Sequence, residues 1–391
     1  MLDKLLCGFK EKLFELELRP STEGYLDLFT FQGFCPVVLP IQHLPKVYSS
    51  LVNADLERTV LLQQELIFKF GSILGFDPGP ESQILHYGSE ANIQAIRFAT
   101  RSIKRKKIIV SNLAHKSLLS TGLFEPIIID VDPGNNFQIN QDKLEQVIEE
   151  NIDDIGIVAA TYGTTFFGTN ELFLNKLLDL PSFQEIKDET WVHVDAAYGW
   201  ISMLYDSIEV PEFTIGSVIA DCYKFIGLPG CSALLVKGEV REDSNELMES
   251  YFNTYQSTRG TFRTSWQAYI LRDIFKHYGI GKIRERYKQC LEKAKEIVDE
   301  LSDAGLETII PITTPIIPFK LNSKQEVHYM VNELRKQGYI VAPIHLSGTD
   351  SSKHKYNVYG IRVVISPIKH QHKQLDKFVG ILRSSYNVCR A

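Results

Sequence analysis

Short apolar runs alternate along most of the chain with stretches of helical period. Ile108-Ile109-Val110, Ile127-Ile128-Ile129, Gly156–Ala160, Trp191–Val194 and Gly216–Ala220 are each too short for a helix and read as strands, the last two as buried ones. Between them, apolar positions recur at three- and four-residue spacing. Leu56, Val60, Leu61, Ile67 and Phe68 mark one helix and are its candidate core positions; Ala91, Ile93, Ala95, Ile96 and Ala99 mark a second, and Leu144, Val147 and Ile148 a third. A fourth is predicted over 171–180, ended by Pro181. Strand and helix in alternation predict an α/β fold with a mostly parallel sheet covered on both faces.

The pattern changes beyond residue 230. Gly227-Leu228-Pro229-Gly230 turns the chain into Cys231–Val236, which reads as an antiparallel strand, and a helix follows over 266–276. A long charged helix over 282–303 leads to a strand at Ile316–Phe319, which Pro318 marks as a sheet edge. Helix 324–337, strand 339–342, strand Gly360–Ile365 and a last helix complete an α+β segment. At the other end, Leu5, Phe9, Leu13 and Leu16 give an amphipathic helix, and residues 20–50 are rich in Pro, Gly and aromatics. The expected organisation is an N-terminal and substrate-side segment over 1–50, a large domain over 51–280 and a small domain over 281–391.

Composition narrows the function classes. The 391 residues carry a net charge of -6 and have ordinary globular composition, which gives no encouragement to a nucleic-acid partner. The basic run Arg101–Lys107 reads as a solvated helix end. Six cysteines lack CxxC pairs or zinc-ligand spacing, so they read as reduced thiols, with Cys222 buried and inert. No metal site is expected, His370 and His372 included. The chain has no apolar stretch long enough to span a membrane and no secretory pattern at its start, and the expected address is the cytoplasm.

The chemistry gathers at the ends of predicted strands, where ligands bind in open α/β sheets. Asp195 ends the run Trp191–Val194, and Lys224 lies just beyond Gly216–Ala220. A lysine for a Schiff base and a carboxylate for a pyridinium nitrogen together suit pyridoxal phosphate. Gly88-Ser89-Glu90 follows another short β-like run and opens a helix, an N-cap arrangement that also favours an anion. His115 follows Val110 in Ser-Asn-Leu-Ala-His-Lys-Ser, and Thr164 follows Ala160 in Tyr-Gly-Thr-Thr; a structural histidine and a loop-satisfying hydroxyl are the plain alternatives. Gln256–Ser265 clusters basic and hydroxyl residues before a helix, as a surface loop or an anion clasp would.

Residues His193–Gly199 (HVDAAYG) and Asp221–Lys237 (DCYKFIGLPGCSALLVK) resemble the pyridoxal-phosphate-dependent group II amino-acid decarboxylases, the bacterial histidine decarboxylase-like branch above all. GSEAN and SNLAHKS extend that likeness. The resemblance implies fold type I, a mostly parallel seven-stranded sheet with a small C-terminal α+β domain. It implies that Lys224 carries the cofactor covalently, that Asp195 holds its ring nitrogen, that His115 lies against its ring and reaches substrate, and that Ala197 packs the ring face. It places cofactor contacts at Gly88, Ser89, Glu90, Thr164 and Tyr223, and substrate contacts at Phe31 or Phe34 and at Arg362. It further implies a homodimer in which residues 257–264 reach the neighbouring site.

One position departs from the family: Tyr223 stands where a histidine usually precedes the lysine, and a phenol offers a hydrogen bond there but no positive charge. The expected reaction is α-decarboxylation of an L-amino acid to an amine and carbon dioxide. Cleavage of a C–C or C–S bond, or a non-catalytic role for the fold, are the other readings the sequence leaves open.

Overall fold

The computed structural model describes residues 56–206, 213, 215–226, 228, 230–237, 265–365 and 372–390. Seven strands, β1 (Gln83–Leu85), β2 (Lys107–Ser111), β3 (Glu125–Ile129), β4 (Ile155–Thr161), β5 (Trp191–Asp195), β6 (Gly216–Asp221) and β7 (Ser232–Lys237), form one sheet. Its order is β1-β7-β6-β5-β4-β2-β3. Strands β2 to β6 run parallel, and β7 is antiparallel to both β6 and β1.

Both faces of this sheet are buried, which is why its central strands read as unbroken apolar runs. Successive side chains point to opposite faces. Ile109, Val158, Ala160, Val192, Val194, Val218 and Leu235 enter one core, whereas Ile108, Val110, Ile157, Ala159, Trp191, Ile219 and Leu234 enter the other. On the first face, Phe70 from helix Leu56–Leu74 meets Trp200 and Phe275 edge-on, at centroid distances of 5.6 and 5.7 Å. The second face is covered by helix Gly88–Ser102, whose Ala91, Ala95, Ile96 and Ala99 are fully buried.

Helix Gly279–Ser302 leads to a second, antiparallel sheet of order β8-β10-β9, formed by β8 (Ile316–Leu321), β9 (Ala342–Thr349) and β10 (Lys355–Val364). Pro318 lies on the edge strand, where its missing N–H costs no ladder bond. Three expectations need correction. Leu61 and Phe68 stay out of the core, 59% and 62% exposed, because helix Leu56–Leu74 turns Leu62, Leu66, Ile67 and Phe70 inward instead. Pro181 does not break the chain: it occupies the first turn of helix Pro181–Ile186, where no N–H is needed, and only the short helix Leu174–Leu177 forms within 171–180. The strand expected over 339–342 begins at Ala342 and runs to Thr349, because Gly338 at φ +84° ends the preceding helix and Tyr339 and Val341 pack inward from the connection. Residues 1–50, with their expected helix and Phe31 and Phe34, lie outside the described residues, as do 257–264 and His370.

The carboxyl ends of β4 and β5 are locked together by two glycines. Tyr162 N–H donates to the Asp195 carbonyl at 2.9 Å, and Gly199 N–H donates to the Tyr162 carbonyl at 2.9 Å. Gly163 has φ +79°, and a Cβ there would lie 2.6 Å from Gly199 N. Gly163→Ala therefore combines a left-handed backbone penalty with overpacking, and should destabilise the protein by about 2–5 kcal/mol. Urea denaturation measures this, and an unchanged midpoint would contradict the account.

Candidate active site

The carboxyl ends of β5 and β6 are adjacent, so Asp195 and the short helix Tyr223–Ile226 after Asp221 face the same space. A cavity of about 370 Å³ there is lined by Tyr87, Gly88, Ser89, Glu90, Asn92, His115, Asp195, Ala197, Asp221 and Lys224. The structure thus brings together Gly88, Ser89, Glu90, His115, Asp195, Ala197 and Lys224, which lie far apart in the chain.

Asp195 is 3% exposed. Its Oδ2 accepts from Asn92 Nδ2 at 2.8 Å and its Oδ1 from Ala197 N at 3.1 Å. No cation pairs with it among the described residues, so a buried carboxylate faces the cavity with hydrogen bonds but without a counter-charge. Asn92 also donates to Ser117 Oγ at 2.9 Å, and its Oδ1 lies 2.9 Å from His193 Nε2. His193 Nδ1 is 2.8 Å from Ser217 Oγ, which accepts from Trp191 Nε1 at 2.9 Å. Burial holds His193 down to about 4, so it is neutral at physiological pH.

His115 caps the helix Lys116–Leu119 through Nδ1, which accepts from Ser117 N at 3.3 Å and lies 2.7 Å from Ser117 Oγ. Burial lowers its pKa; Asp195 opposes that shift, while Lys224 and Lys116 add to it. On the far side, helix Gly88–Ser102 starts at Gly88, with Tyr87 as its N-cap. Ser89 is therefore inside the first turn and does not cap the helix through its side chain. The Glu90 carboxylate turns back to accept from His86 N at 3.0 Å, leaving the first-turn backbone to meet a ligand.

Asp221 lies beside that turn. It accepts from Tyr223 N at 2.9 Å and from Gly88 N–H, and burial pushes its carboxyl up to about 6 against the pull of Lys224. A Cβ at Gly88 would lie 3.2 Å from Asp221 Oδ2 and 3.4 Å from Ala197 Cβ, so only glycine leaves this end of the cavity clear. Behind the site, Glu171 accepts from Thr161 N at 2.6 Å. Its burial pushes it up to about 7 against hydrogen bonds from Ser111 and Thr161, and the like charge of Asp195 adds to that rise.

Three expected residues do not line the cavity. Thr164 is fully buried, its hydroxyl 2.9 Å from that of Thr169 and accepting from Thr169 N at 3.2 Å. Tyr223 contributes its backbone N–H to Asp221, and Arg362 Nη1 donates to the Thr165 carbonyl at 2.5 Å. Cys222 is wholly buried, and burial raises its thiol pKa well above the ordinary value. Sequence reasoning missed Asn92, Ser117 and Asp221 as site residues. Asn92 had a legible signal, since it is a polar residue on the apolar face of an amphipathic helix.

These residues fit pyridoxal phosphate. An amine and a buried, unpaired carboxylate share one cavity, with a helix N-terminus at the other end for the phosphate. Comparison with known proteins agrees. Residues 92–322 match the pyridoxal-dependent decarboxylase conserved domain. A probable L-aspartate decarboxylase of Archaeoglobus fulgidus is 26% identical over 302 residues, covering 73% of this chain and 77% of that protein. A histidine decarboxylase of Vibrio anguillarum is 23% identical over 221 residues, covering 54% and 56%. Among solved structures, an L-methionine decarboxylase from Streptomyces superposes with a TM-score of 0.65 at 15% identity, over 83% of each chain. On this evidence the chain belongs to the pyridoxal-phosphate-dependent amino-acid decarboxylases of fold type I.

Proposed function

We propose that this enzyme removes the α-carboxylate of an L-amino acid using Lys224, Asp195 and His115 as its ligand-contacting residues. One observation carries the assignment: Lys224 and the unpaired, buried Asp195 line the same cavity at neighbouring strand ends. When bound, pyridoxal phosphate supplies the ring that accepts the electron pair left as carbon dioxide departs. Lys224 would hold the cofactor through its amine. Asp195 would accept from the ring N–H and so keep the ring cationic, and Asn92 and Ala197 N fix the carboxylate for that contact. Ala197 leaves room against the ring, and His115 faces the ligand from the cavity wall. The first-turn N–H groups of Ser89 and Glu90 hold the phosphate. Thr164 and Arg362 act from behind in this reading, bracing the loop through Thr169 and the Thr165 carbonyl.

Aspartate, tyrosine and histidine, named in relatives, are the first substrates to try. The same reading takes the enzyme as a cytoplasmic homodimer with residues 257–264 reaching the neighbouring site and Phe34 on the substrate side. The resemblance supports these assignments, and light scattering on the intact chain tests the dimer. The proposed domain boundaries stay at residues 50 and 280.

Lys224→Ala should abolish carbon dioxide release, and borohydride reduction of the wild-type holoenzyme should leave the phosphopyridoxyl adduct on Lys224. Asp195→Asn should lower kcat at least about 100-fold, equivalent to about 2.7 kcal/mol, because a neutral amide does not hold the ring nitrogen protonated. Equimolar amine and carbon dioxide identify α-decarboxylation; a product retaining the carboxylate would overturn it.

A phosphate docked at Ser89 and Glu90 meets Asp221, which has to be neutral to lie beside it. Below about pH 6 Asp221 already carries its proton; above that, binding must take one up, so affinity falls by up to about tenfold per pH unit. Asp221→Asn has no such requirement. With pyridoxine phosphate, which cannot react with Lys224, the dissociation constant of wild type relative to Asp221→Asn should rise steadily from pH 6 to 8. Fluorescence titration measures it, and a flat ratio would exclude Asp221 from the phosphate end.

A further inference from the structure

His115 is held from one side only. Both hydrogen-bonding contacts from Ser117 converge on Nδ1, and Nε2 has no partner among the described residues, while the ring lines the cavity. The position of its proton is decided at Asp195 and Trp191, the two ends of one hydrogen-bond chain. A carboxylate can only accept, so the Asn92 atom 2.8 Å from Asp195 Oδ2 is the amide nitrogen. The second hydrogen of that nitrogen goes to Ser117 Oγ at 2.9 Å. Asn92 Oδ1 then accepts from His193 Nε2–H at 2.9 Å. Neutral His193 must accept at Nδ1 from the Ser217 hydroxyl, and Ser217 Oγ in turn accepts from Trp191, whose indole N–H can only donate. Each donor is thus assigned consistently from both ends.

Ser117 Oγ receives a hydrogen from Asn92, so its own hydrogen is free for His115 Nδ1, 2.7 Å away. The Ser117 backbone N–H points at the same nitrogen from 3.3 Å. Two donors aimed at Nδ1 leave no place for a proton on it. The neutral ring therefore carries its proton on Nε2, the nitrogen free of protein contacts.

We infer that His115 meets the ligand as a neutral Nε2–H donor rather than as a base, set in that tautomer by Asn92 and Ser117. Asn92 and Ser117 are positioning residues in this scheme. One amide orients both the carboxylate assigned to the ring nitrogen and, through Ser117, the imidazole assigned to the substrate. That a ligand lies against His115 rests on the functional reading above; the tautomer does not.

The test is a long-range proton–nitrogen correlation spectrum of the full-length protein with 15N-labelled histidine at neutral pH, before and after adding pyridoxal phosphate. The His115 signals are assigned by their loss in His115→Gln. Wild type should show an unprotonated Nδ1 and a protonated Nε2. Ser117→Ala should convert this to a mixture of tautomers and lower kcat by about tenfold, equivalent to about 1.4 kcal/mol. Ser117→Thr, which keeps the hydroxyl, should restore both. Asn92→Asp should also produce the mixture, because a carboxylate at 92 draws the Ser117 hydrogen away from His115. If Asn92→Asp does not fold, the Ser117 pair decides. A protonated Nδ1 in wild type, or a Ser117→Ala spectrum identical to wild type, overturns the inference. The inferred spectrum in a protein without decarboxylase activity would sink the functional reading instead.

Discussion

A buried carboxylate must find donors or lose its charge. Asp195 has two, the Asn92 amide and the Ala197 backbone N–H, and much of the site follows from supplying them. Strand β5 places Trp191, His193 and Asp195 on one face by its two-residue period, and Val192 and Val194 on the other. The first three are the polar line; the valines are ordinary core. Helix Gly88–Ser102 lays Asn92 across that line, so the element whose first turn lines the cavity also orients the Asp195 carboxylate. Site geometry and sheet packing are therefore one problem.

The same economy leaves the site rich in acids. Asp195, Asp221 and Glu171 interact electrostatically, and burial raises the last two to about 6 and about 7. Lys224 is the sole cation among the described residues lining the cavity. Relatives usually place a histidine before this lysine, whereas here Tyr223 turns its backbone N–H to Asp221. A protonated Asp221 would offset that lost positive charge by removing a negative one.

Much of the fold was legible because buried parallel strands and the helices covering them have different periods. The core strands stood out as short β-branched runs, and the antiparallel turn at Cys231–Val236 followed from the Gly-Leu-Pro-Gly punctuation before it. Pro181 misled because a proline reads the same whether it ends one helix or begins the next. Tyr339-Ile340-Val341 misled because apolar residues pack from a connection as well as from a strand. Within the site, motif residues with their own chemistry were visible: Lys224, Asp195, His115 and Gly88-Ser89-Glu90. Asn92 and Ser117 were inside quoted motifs without being seen as working parts, since an amide or a hydroxyl has no role until its neighbours are known.

The amino-acid sequence by itself determined the layered α/β architecture, the strand ends where chemistry gathers and the pairing of a lysine with an acid, because these depend on residue type and local period. Only the tertiary structure decided that Thr164 and Arg362 do not line the cavity, that Asp221 lines it beside Gly88, and that one amide links Asp195 to His115. The last relation joins residues separated by 25 and 103 positions, as Asn92 is from Ser117 and Asp195. A hydrogen bond is set by distance and direction in space, and sequence spacing carries neither until the chain has folded.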